Sequence, residues 1–176
     1  MSIQDLCAVL KPPAHPTDVG SSKLWAEAEA ELGAELPSDY KQFISIYGSG
    51  SIDDFLTPFN ACSHDPIMRL FIRGSEVLEA HRSTRRLFPD EFDWPLFPEP
   101  GGWLPWGTTP NVNSLFWVTD GPPDEWTIVV AEGHAPYIEH YDESFTSFLS
   151  GVISRRITCD LLGSHFPREG GSEFVP

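Results

Sequence analysis

Two histidines, His134 and His140, stand six residues apart in a strand-like stretch, so both side chains could project from one face. Such a pair could begin a metal site. Gly133 and Pro136 interrupt the alternation, however, and no third ligand follows at a recognisable spacing. The run Cys62-Ser63-His64-Asp65 gathers four ligand-type side chains, a cluster that arises easily by chance. A satisfied or exposed histidine is the more common outcome in both settings, and neither a metal nor a cofactor is expected. Nucleophilic chemistry has less support. There is no G-x-S-x-G elbow. Gly48-Ser49-Gly50-Ser51 lacks the lysine of a phosphate-binding loop and follows a helix instead of preceding one. Acidic pairs occur at Asp53–Asp54, Asp124–Glu125 and Asp142–Glu143. Adjacent acids are usually solvated, and sequence does not show two of them facing each other across a cleft. The chain is expected not to be an enzyme.

Two further clusters bear on binding. Trp94, Phe97, Trp103 and Trp106 lie among prolines and could offer a stacking platform. The plainer reading is a rigid loop closing one end of the core. Arg69, Arg73, Arg82, Arg85 and Arg86 give residues 61–100 five bases against seven acids, whereas residues 1–60 and 101–176 carry three bases each. One solvated helix face accounts for them better than an anion site does.

The 176 residues suit one domain, able to bury roughly 70% of its unfolded surface without staples. Three widely spaced cysteines imply no disulfide framework and favour a reducing compartment. The early apolar run Leu6–Leu10 follows Asp5 and has no basic flank, so it does not read as a signal peptide. No apolar run reaches the ~20 residues of a membrane span. A cytoplasmic protein is expected. The net charge of −15 argues against direct nucleic-acid binding, which needs basic residues on the phosphates. Solubility alone would explain that charge. A sharper alternative is an acidic face that attracts a basic partner over distance.

The elements that must position these residues follow from periodicity. Leu24, Ala28 and Leu32, with Trp25 beside them, predict a helix capped by Ser21 or Ser22 and stopped at Gly33. Pro37 opens the next helix; Tyr40, Phe43, Ile44 and Tyr47 form its apolar face, and Gly48 ends it. Residues 67–88 read as mainly helical, with Gly74 as a break. Residues 89–110 hold six prolines and read as loop. Strand signals follow in WLPWG, NSLFWVT, EWTIVVAE and PYIEHY, with TDGPPDEW as a hairpin loop. Phe145, Phe148, Leu149, Val152 and Ile153 predict a last helix over 143–157, capped by Ser144. Helices, then strands, then a helix predict an α+β domain with a mixed or antiparallel sheet.

The stretch from Leu24 to Ile52 resembles the first motif of the SUKH superfamily, through Trp25, Leu36, Pro37, Asp39, Tyr40, Phe43, Gly48 and Gly50. A second block, LPWGTTPNVNSLFW and then YDESFTSFLSGVI, is similar to the superfamily's strand pair and terminal helix. Members commonly carry Asn-Gly-Asp before the strand, where this chain has Asn111-Val112-Asn113-Ser114, which weakens any role carried over to that turn. The superfamily includes fungal cell-wall-synthesis regulators and bacterial immunity proteins of polymorphic toxin systems. The resemblance implies a SUKH-like domain over 1–160, a tail over 161–176, and a non-catalytic binding role. That role is either neutralising a toxin, in many systems a nuclease, or binding another cellular protein. Asp53, Asp54, Asp120, Asp124 and Glu125 are the candidate contacts with a basic toxin domain, and Trp103 or Trp106 is the candidate aromatic anchor.

Overall fold

The computed structural model of the chain describes residues 2–133 and 135–176. The apolar spacing after Pro37 becomes helix α3 (Ser38–Tyr47), following α1 (Ile3–Val9) and α2 (Ser22–Leu32). Tyr40, Phe43, Ile44 and Tyr47 are all buried, and Trp25 is half-buried with its ring edge-on to Tyr40. The last helix, α5 (Phe145–Ile153), is buried on every side. Ser144 holds its N-cap position, but the side chain makes no capping bond. Asp39 supplies the cap from α3, accepting from the Thr146 backbone N–H at 2.8 Å and its hydroxyl at 3.0 Å. A carboxylate at that end satisfies an orphan donor and complements the helix dipole.

Strands β3 (Thr57–Pro58), β4 (Trp103–Thr108), β5 (Ser114–Val118), β6 (Thr127–Ala131) and β7 (Ile138–Tyr141) form an antiparallel sheet in that order. Alternation splits its side chains between two cores. Leu104, Trp106, Leu115, Trp117, Ile128 and Val130 join α1, α3 and α5 on one face. Trp103, Phe116, Val129 and Ala131 meet Leu78 and Leu96 on the other. That second face is covered by α4 (Leu70–Leu87) and the proline-rich segment after it. Gly74, expected as a break, lies inside α4; a Cβ there would sit 3.7 Å from the Pro105 carbonyl oxygen, an ordinary van der Waals contact. The fold is α+β, as the order of elements predicted.

A second sheet corrects the tail assignment. Strand β8 (Ser172–Val175) lies between β1 (Leu10–Lys11) and β2 (Ser51–Ile52), parallel to the first and antiparallel to the second. Phe174 packs against Phe43 and Tyr47 in the main core. Residues 161–176 therefore complete the domain.

His81 occupies the apolar face of α4, edge-on to Phe116 at 5.1 Å, and burial pushes its pKa down to about 4. Below the ordinary value near 6.5 the unfolded chain takes up a proton that the folded chain refuses, so stability falls as pH drops through this window. We expect the contribution to fall by about 2 kcal/mol between pH 7 and pH 5. His81→Phe should flatten the dependence in urea melts over that range; an unchanged slope would assign acid sensitivity elsewhere.

Candidate protein-binding face

The five arginines of the middle segment are spoken for internally. Arg69 pairs with Glu31 at 2.7 Å, Arg73 with Glu76, Arg85 with Glu99 at 2.5 Å and Arg86 with Glu79 at 2.9 Å. Arg82 donates to the Phe97 carbonyl at 2.7 Å. All eight ion pairs among the described residues use glutamates, and none uses an aspartate. The aspartates instead accept from backbone N–H groups and hydroxyls, or face water.

That division sorts the predicted contact residues. Asp53 is committed to the fold: its carboxylate accepts from Arg168 N at 3.0 Å, the Ser172 hydroxyl at 2.8 Å and Glu173 N at 2.9 Å. It fastens β8 to the turn after β2. Asp54, beside it, is exposed. Asp124 is exposed but accepts from the Ser38 N–H at 2.6 Å, which caps α3 from 86 residues away. Asp120 and Glu125 are exposed, and neither carboxylate makes a hydrogen bond or ion pair among the described residues.

Trp103 and Trp106 cannot anchor a partner. Trp103 is 7% exposed and stacks on Trp94 at 5.0 Å; Trp106 is fully buried against Phe145 at 4.8 Å. They belong to opposite faces of the sheet. The proline-rich segment closes a core, as its plainer reading held.

Four carboxylates converge where β5 ends, β6 begins and β7 leads into α5. A groove of about 410 Å³ there is lined by Asp124, Glu125, Trp126, Thr127, Asp142 and Glu143. Asp142 is exposed and unpaired among the described residues. Glu143 lies below the ordinary carboxylate range, held there by the Ser147 hydroxyl and the Arg156 guanidinium at 3.2 Å. The Asp142–Glu143 pair was visible in the sequence, yet only the sheet register brings it beside Asp124–Glu125. The loop after Val118 carries Asp120 to the same end.

The metal-type residues do not assemble. His134 lies outside the described residues. The His140 Nε2 atom is 2.8 Å from the Thr127 hydroxyl. Ser63 donates to the Asp18 carboxylate at 2.7 Å, and Asp65 accepts from Ile67 N at 2.9 Å, so the 62–65 run is a hydrogen-bonded turn. Among the described residues, no group of three His, Cys, Asp or Glu side chains is placed to share a metal ion. No described helix is long and apolar enough to cross a membrane.

A family model of the SUKH superfamily, described as SMI1-KNR4 cell-wall, matches residues 22–149. The chain belongs to this family. The matched span runs from α2 into α5 and holds the first of the two blocks whose motifs suggested the superfamily, and the second as far as Leu149. It leaves α1 and β8 outside, the two elements that meet through β1 in the small sheet. In the turn between β4 and β5, Val112 adopts φ 65, the left-handed region that glycine favours. No curated protein matches the chain.

Proposed function

We propose that this family member is a non-catalytic binding module, an immunity protein that neutralises a toxin bearing a basic face. The carrying observation is that Glu125 and Asp142, unpaired and exposed, line one groove, with exposed Asp120 at the same end of the sheet, while the arginines of α4 are engaged internally. Such a face raises the encounter rate with a cationic partner, above all with a nuclease whose site is shaped for phosphates. The absence of catalysis is supported by chemistry. Burial pushes the Cys62 and Cys159 thiols up to about 12, far from the nucleophilic thiolate. A groove of about 490 Å³ between α2, α4 and β4 has Glu31 and Ser75 as its polar side chains, and Glu31 is tied to Arg69.

The family's cell-wall description favours a second reading, a regulatory module that binds a non-toxin protein with the same face. Co-expression with the product of the neighbouring gene separates the two. Growth rescue from a toxic neighbour supports immunity; a folded protein that fails to rescue supports regulation. The variant carrying Asp120→Asn, Glu125→Gln and Asp142→Asn should slow association with that partner about tenfold at low salt and converge on the parent at high salt. Asp124 is left intact because it caps α3. Equal association rates at every salt concentration would remove the acidic end from the interface.

A further inference from the structure

The two edges of the five-stranded sheet are finished differently. Strand β3 is two residues long and contains Pro58, which has no N–H to offer. Strand β7 is four residues long, Ile138-Glu139-His140-Tyr141, and contains no proline, glycine or lysine. Its pairing with β6 sets which backbone groups point outward. The Glu132 N–H donates to the Tyr137 carbonyl at 3.0 Å, and in the same register Val130 faces Glu139 and Ile128 faces Tyr141. Antiparallel pairs alternate, so Glu139 and Tyr141 turn their backbone groups to β6, while Ile138 and His140 turn theirs away from it. Among the described residues no backbone group from a loop or another element bonds to Ile138 or His140 on that side. Their side chains share a face with Ala131 and Val129, but α4 does not reach them. Tyr137 is 51% and Ile138 37% exposed, and His140 is exposed too.

This open edge runs directly into the acidic groove. Tyr141 is followed by Asp142 and Glu143, which line the groove with Asp124 and Glu125. A backbone template and a cluster of negative charge are therefore continuous along one line.

We propose that β7 is the docking edge, and that the partner contributes an extended segment which adds as a sixth, antiparallel strand. In that direction, residues preceding the partner's strand fall at the Asp142 end, so lysines or arginines there enter the groove. The ladder supplies affinity through Ile138 and His140, and the groove supplies charge selection. This inference rests on the basic protein partner proposed above.

A synthetic peptide with three basic residues followed by alternating valine and threonine serves as the probe, read by amide hydrogen exchange. It should slow exchange at Ile138 and His140 by about tenfold or more. Ile138→Pro removes an outward donor without breaking the ladder to β6, and should abolish this protection. The same peptide N-methylated at alternate amides should fail to bind the parent chain, which keeps the test valid if Ile138→Pro does not fold. Equal binding by the N-methylated peptide, protection elsewhere, or no binding at millimolar peptide would overturn strand addition. If binding then still weakens with Glu125→Gln and Asp142→Asn, the acidic face stands and only the strand is lost. If it does not weaken, both fall.

Discussion

Gly48→Ala should destabilise the protein by about 4 kcal/mol, combining a strained backbone with a steric clash. The residue sits at φ 70 and ψ −146 at the end of α3, a conformation closed to side chains. A Cβ there would lie 1.9 Å from the Thr17 carbonyl oxygen, which is backbone and cannot swing aside. That oxygen accepts from the Ser49 N–H at 2.9 Å, and the next residue, Asp18, accepts from the hydroxyls of Ser49 and Ser63. Moving Thr17 would therefore detach the 12–20 loop from the glycine turn. Gly33 provides the comparison. It also has a positive φ, 76, but a Cβ there meets nothing within 4 Å. Gly33→Ala should cost only about 1 kcal/mol. Urea melts of the two variants check the difference; similar losses would show that the Thr17 contact contributes little.

Tyr40→Phe should cost about 3 kcal/mol with the fold retained. The ring is wholly buried, edge-on to Trp117 and Phe145, and phenylalanine keeps that packing. What is lost is the hydroxyl, which donates to the Phe59 carbonyl at 2.8 Å and accepts from the Ala61 N–H at 2.9 Å. Both backbone groups would remain buried without a partner, and each such loss costs about 1–3 kcal/mol. The hydroxyl thus pins the segment after β3 to α3. A loss below about 1 kcal/mol, with an unchanged denaturant slope, would mean that the segment rearranges to pair these groups otherwise.

The helices and the main sheet were legible because their signals are local. Tyr40, Phe43, Ile44 and Tyr47 repeat with the helical period, and the four strand runs are separated by recognisable turns. Strand β8 was not legible: it has four residues, follows two glycines and pairs with partners at residues 10–11 and 51–52. The candidate face was half legible for the same reason. Asp53, Asp124 and Asp120 look alike in sequence. Their roles diverge because the donors for Asp53 are 115 to 120 residues away and that for Asp124 is 86 residues away, while Asp120 has none among the described residues. Trp103 and Trp106 misled through their neighbours, since a proline-rich setting suggests an exposed platform. Here it builds a lid over the sheet instead.

The central place of β8 in its sheet has a consequence for biosynthesis. Leu10 and Lys11 emerge early but find their strand partners only when Ser172 and Glu173 have been made. At about 5–20 residues per second, that interval is roughly 10–30 s. Until then Phe43 and Tyr47 lack the ring of Phe174, and the glycine turn lacks the strand that packs on it. The nascent chain therefore carries an unfinished apolar seam for most of its synthesis, in the interval when chaperones would find it.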